Sequence, residues 1–181
     1  MTAIIATAVL ATIYAIVFVA FASPSRTIQL GLYASFVLGA SLLILSYLDL
    51  RTGLLLDVIT LPLIILGIGY ALVSGGSWPL AVAGAGLGYG LVAGLGYVWR
   101  RTRGYEGIGL GDAKLLAVGG AWVGAGLIPL ILLIASGLGM ILALTVLQKP
   151  HGADDRGAIP FGPALSLGIW VAWCAGETIF A

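Results

Sequence analysis

The chain has 181 residues, a net charge of +1, 61% apolar and 8% charged residues, and a mean hydropathy of +1.16. A soluble domain carries about 25% charged residues, so this chain lacks the polar groups to cover a water-facing surface, and its hydrophobicity excludes disorder. The near-neutral charge offers nothing to a nucleic acid. What remains is an α-helical membrane protein whose first partner is the lipid bilayer.

A transmembrane helix needs about 20 mostly apolar residues. Candidate spans cover residues 3–22, 28–48, 58–73, 78–98, 127–146 and 159–179, with a short, Gly-rich stretch at 113–125 as a seventh. In the first, Ala20-Phe21-Ala22 resembles a small-residue cleavage site, but no Lys or Arg precedes it and the apolar run is long for a signal peptide, so a retained helix is expected. The fourth span carries Gly86, Gly90 and Gly94 at spacing four, with Gly84 and Gly88 on a neighbouring stripe. Such stripes let helix backbones approach closely, and packing within the chain is the expected use. Gly124-Ala125-Gly126 then turns the chain before Pro129 starts the next helix.

With seven crossings, Arg51, Arg100, Arg101, Arg103, Lys114, Lys149 and Arg156 fall on one side and only Arg26 on the other. The positive-inside rule marks the basic side as cytoplasmic and so places the N-terminus inside. The expectation is an all-α, polytopic bundle of about seven transmembrane helices, one of them short. It forms a single domain over 1–181, with 1–27 an additional helix and short connection. The oligomeric state is not legible.

Chemistry has few candidates in this composition. The single Cys174 excludes an internal disulfide and a multi-Cys zinc site, and the single His151 excludes zinc-protease motifs and a Ser-His-Asp triad. The acids number seven: Asp49, Asp57, Glu106, Asp112, Asp154, Asp155 and Glu177. Asp49 ends the second span, where a helix dipole disfavours negative charge, although Arg51 could pair with it at the surface. An acid at the membrane edge is costly enough to suggest function. Asp57 and Asp112 stand where helix N-caps would. Asp112 follows Gly107, Gly109 and Gly111, which either turn the chain or leave room for an extended peptide to reach the carboxylate. Asp49 and Asp112 share the basic side. If they converge they share a proton, and one can activate water while the other hydrogen-bonds a peptide carbonyl. No metal or cofactor is required.

At these residues the sequence resembles the type IV prepilin peptidases, the bacterial members of the Gly-x-Gly-Asp intramembrane aspartyl proteases. Asp49, Arg51, Asp57, Thr60, Leu61 and Pro62 match the first family pattern. Glu106 through Leu115 match the second, and Pro160-Phe161-Gly162-Pro163 the third. The resemblance covers 28–181 and implies Asp49 and Asp112 as the catalytic pair. Asp57, Glu106, Gly109, Gly111, Lys114, Pro160, Phe161, Gly162 and Pro163 would be auxiliary residues near the site. It implies as substrate a prepilin or pseudopilin precursor, cut at the cytoplasmic face of the inner membrane. Leu56 stands where the family usually has proline. The family's large cytoplasmic insert after the first helix, commonly with two Cys-x-x-Cys pairs, is here only the connection 23–27. Peptidase activity without N-methyltransferase activity is therefore expected, and no structural zinc.

Two other readings compete. A small proton- or cation-coupled transporter would use the same acids, but would carry them deep in its spans and show related halves. The presenilin and signal-peptide-peptidase branch shares Gly-Leu-Gly-Asp and a Pro-Ala-Leu, here at Pro163–Leu165, but the surroundings of Asp49 fit the prepilin peptidases better.

Overall fold

The computed structural model describes residues 2–21, 28–104, 109–147 and 161–180. These form α1 (Thr2–Phe21), α2 (Ile28–Thr52), α3 (Asp57–Val73), α4 (Trp78–Arg103), α5 (Leu110–Val123), a 3-10 turn (Ala125–Leu127), α6 (Ile128–Leu147) and α7 (Gly162–Phe180). No strand occurs among the described residues. Seven α-helices, as the hydropathy pattern required, make this a helical membrane protein. Among the described residues three segments are long and apolar enough to cross a membrane: Leu30–Thr52, Trp78–Arg103 and Ala125–Leu142. Shorter apolar helices cover Ile4–Ile16, Asp57–Val73 and Gly162–Gly176.

Helix ends follow local chemistry more closely than hydropathy does. α2 passes through Asp49 and stops at Thr52, because Gly53 takes φ +65 and donates its N–H to the Asp49 carbonyl at 2.8 Å. Gly tolerates that left-handed backbone without cost. α4 runs five residues past its apolar stretch and ends at Gly104, φ +77, after three arginines. Basic side chains in a last turn meet the negative end of the helix dipole, which favours the extension.

α5 lies at the centre. From Leu115 to Trp122 every residue is buried. At 14 residues it measures about 21 Å, short of a hydrocarbon core of about 30 Å. It is enclosed by protein: α4, α3, α7 and α6 all pack on it. The seam with α4 is backbone against backbone. A Cβ on Gly84 would collide with the Gly120 carbonyl, and one on Gly88 would lie 2.5 Å from the Leu116 carbonyl oxygen. The two glycine stripes of α4 therefore divide: Gly84 and Gly88 make the seam, whereas Gly86, Gly90 and Gly94 have no atom within 4 Å of where a Cβ would stand. The more regular stripe is thus not the contact surface within the chain. The reason lies in the partner, since Gly120 offers a notch only to the side of α4 that bears Gly84.

Tryptophans fasten the other helices. Trp122 of α5 donates to the Leu63 carbonyl of α3 at 2.8 Å, and its ring fills the space a Cβ on Gly67 would need. α2 and α7 run antiparallel in a fixed register: Asp49 meets Gly162, the Trp170 ring lies over Gly39, and Trp173 donates to Ser35 at 3.0 Å. α1 docks on this pair. Tyr14 stacks on Trp170 with centroids 5.2 Å apart, and Trp170 donates to the Tyr14 carbonyl at 2.8 Å.

Candidate active site

Asp49 lies in the last turn of α2, only 7% exposed. Its Oδ2 accepts the backbone N–H of Gly162 at 2.9 Å. That amide opens α7, where the first turn leaves N–H groups without intrahelical partners and the dipole is positive. Gly162 is sterically required, since a Cβ there would stand 2.6 Å from Asp49 Oδ2. Pro163 follows at the second position of α7, where a missing N–H costs nothing. Phe161 turns its ring into α6, where it occupies the space beside Gly139. The acid that a helix C-terminus should disfavour is thus balanced by the N-terminus of another helix. Arg51 takes no part in this, because its guanidinium lies 5.4 Å from the centroid of the Tyr47 ring.

Asp112 stands in the first turn of α5. Burial, and then the charge of Asp49, push its carboxyl up from 3.8 to about 6. Neither Asp112 nor Asp57 caps its helix. The cap positions are Gly109 and Leu56, and neither forms a side-chain cap hydrogen bond. Both carboxylates lie within the first turn instead. Asp57 receives Lys114 Nζ on both oxygens, at 2.6 and 2.7 Å, which ties the start of α3 to the start of α5. Gly111 packs under Leu55, leaving 3.1 Å to the Leu55 Cβ for any added carbon. Gly109 is not crowded in this way: a Cβ would lie 3.8 Å from Asp112 Oδ2. Its lack of a side chain keeps the approach to that carboxylate open.

These residues meet at one cavity of about 880 Å³. Asp49, Asp112, Gly109, Gly111, Lys114 and Phe161 line it, with Gly162 bonded to Asp49 and Pro163 next to Gly162 in α7. Asp57 is joined through Lys114. Glu106 and Pro160 lie outside the described residues. Besides these polar groups the cavity has an apolar lining that includes Leu54, Leu55, Val92, Leu95, Leu132 and Leu165. Sequence reasoning missed that lining, because an apolar residue in a membrane helix carries no mark of what it faces. Among the described residues no cluster of three or more His, Cys, Asp or Glu side chains could hold a metal ion. A space with two interacting carboxylates and an apolar wall suits an extended peptide, with proton transfer at one end and side-chain burial at the other.

A model of the type IV leader peptidase family matches residues 36–144, which include Asp49, Asp57, Asp112 and Lys114. The chain is 39% identical over 153 residues to the prepilin leader peptidase/N-methyltransferase of Aeromonas salmonicida, covering 82% of the chain and 51% of that protein. The protein of the same name from Pseudomonas putida is 40% identical over 147 residues, covering 78% and 49%. That from Neisseria gonorrhoeae is 36% identical over 146 residues, covering 80% and 49%. The chain thus spans about half the length of the curated relatives it matches. No solved structure gives a significant match.

Proposed function

The chain belongs to the type IV leader peptidase family, and from that premise we propose that it is a membrane-embedded aspartyl endopeptidase that removes the leader peptide of a prepilin or prepilin-like protein. The observation that carries the reading is the common cavity of Asp49 and Asp112, close enough for the charge of one to act on the other. Two such carboxylates hold one proton between them. The raised carboxyl of Asp112 suits the protonated partner, and Asp49 the base. Asp49 takes a proton from water as the water oxygen bonds to the scissile carbonyl carbon. Asp112 meanwhile donates a hydrogen bond to the carbonyl oxygen. The C–N bond then breaks, the amine leaves with the proton, and the new carboxyl group stays on the leader. The apolar wall would hold the residue beside the scissile bond.

Seven of the eight basic residues lie on one side in the seven-crossing topology, which supports a cytoplasmic site in a multi-pass protein of the inner membrane. One domain over 1–181, with α1 an addition to the peptidase core, is part of the proposal. The names of the relatives carry a second activity, N-methyl transfer. We do not extend it to this chain, because the connection 23–27 holds five residues and no Cys.

Co-expression of a prepilin with the wild type, Asp49→Asn and Asp112→Asn tests this. Loss of leader cleavage in both variants, at normal membrane abundance, is expected; cleavage at the wild-type rate by either overturns the pair. Mass spectrometry of the wild-type product should show an unmethylated N-terminus, and a methylated one overturns the restriction to peptidase activity.

A further inference from the structure

One helical turn inward from the Asp49–Gly162 hydrogen bond, the α2–α7 seam carries two hydroxyls. Ser46 precedes Asp49 by three residues, and Ser166 follows Gly162 by four. Each therefore lies on the same face of its helix as the site residue above it, about 5 Å deeper. Both serines are fully buried. The third member comes from α1: the Tyr14 hydroxyl lies against both serines, in a side chain only 3% exposed. Ser46 Oγ donates to the Leu42 carbonyl at 2.8 Å. Tyr14 Oη and Ser166 Oγ complete no hydrogen bond of their own. These two unpaired hydroxyls, with the Ser46 oxygen beside them, offer the polar partners that an internal water needs.

α1 lies outside the stretch matched by the family model. Its position is nevertheless tightly set, by the stacking of Tyr14 on Trp170 and by the Trp170 hydrogen bond to the Tyr14 carbonyl. The ring is held, and the hydroxyl is aimed at the seam. We propose that Tyr14 is a positioning residue for the Asp49 site, joining Ser46 and Ser166 through a shared internal water and so fixing α2 against α7 beneath the Asp49 carboxylate. Tyr14 touches no substrate in this scheme. It acts through the two helices whose ends form the Asp49–Gly162 contact, and it deepens the peptidase reading.

The test uses the full chain in lipid nanodiscs, as wild type, Tyr14→Phe, Ser166→Ala and the double variant. Phe keeps the stacking on Trp170 and removes only the hydroxyl. The Asp49 carboxyl stretch, assigned by infrared difference against Asp49→Asn, is expected to shift in each single variant. The double variant should shift no further, because either change removes the shared water. Cleavage of a peptide with a basic leader joined to an apolar segment should show kcat lowered about fivefold at unchanged KM, the rate equivalent of one lost hydrogen bond. A carboxyl band unmoved in both single variants overturns the proposal, as do additive shifts in the double variant. If the wild type does not cut the peptide, the peptidase reading fails, and the infrared arm still decides the role of Tyr14.

Discussion

Gly162 is the residue on which the site geometry turns. Its amide holds Asp49 at 2.9 Å, and the space of its missing side chain is filled by the same carboxylate. Gly162→Ala should therefore push Asp49 aside without unfolding α7, and a displacement on the scale of 1 Å costs about a hundredfold in rate. Leader cleavage falling by that order, with unchanged helix content by circular dichroism, is the expected result. Asp112 makes a prediction in pH. Its folded value of about 6 exceeds the ordinary 3.8, so the native state binds more protons than the unfolded state in that window. The stability it contributes is complete below pH 3.8 and is lost as pH rises through about 6. Asp112→Asn should remove that loss in unfolding measured across the window. In Asp49→Asn, the Asp112 carboxyl should titrate below 6 yet above 3.8, because burial, the larger cause, persists. An infrared titration reads this directly.

At the scale of elements, the contact between α4 and α5 is the most exacting. Gly120→Ala sets a methyl group against the Gly84 backbone, which cannot move aside as a side chain could. It should destabilise the bundle by about 1–3 kcal/mol, the usual cost of overpacking, whereas Gly90→Ala, with open space around it, should be close to neutral. Thermal unfolding in detergent separates the two. The Lys114–Asp57 pair joins α3 to α5 with side chains 26% and 53% exposed. Screening at that exposure limits its worth to about 1 kcal/mol or less. Lys114→Met should accordingly cost little stability and, by loosening the start of α5, act mainly on cleavage rate.

Across the whole molecule, the existence and order of the helices were legible because apolar length is a strong signal in a chain with so little charge. Boundaries were legible only where a residue with special backbone freedom stood at the end, and α2 outran its hydropathy until Gly53 stopped it. Asp49 and Asp112 could be singled out by scarcity and spacing. Their sharing of one cavity could not, since it depends on the antiparallel register of α2 with α7 and on the central burial of α5. The N-cap roles open to Asp57 and Asp112 failed for a related reason: a cap is decided by one residue of offset, which sequence patterns do not resolve. The same limit hid the choice between the two glycine stripes of α4. Orientation in the membrane remains a testable expectation. Reporter fusions after Thr52 and after Arg103 should both read cytoplasmic.

The hydrogen bond between Asp49 and Gly162 also has a consequence in time. Its acceptor is synthesised 113 residues before its donor, so most of the bundle can enter the bilayer while the carboxylate still lacks its partner. The site is completed only when α7 slides in beside α2. A nascent chain stalled before that step would hold both acids without the contact that ties the end of α2 to the start of α7.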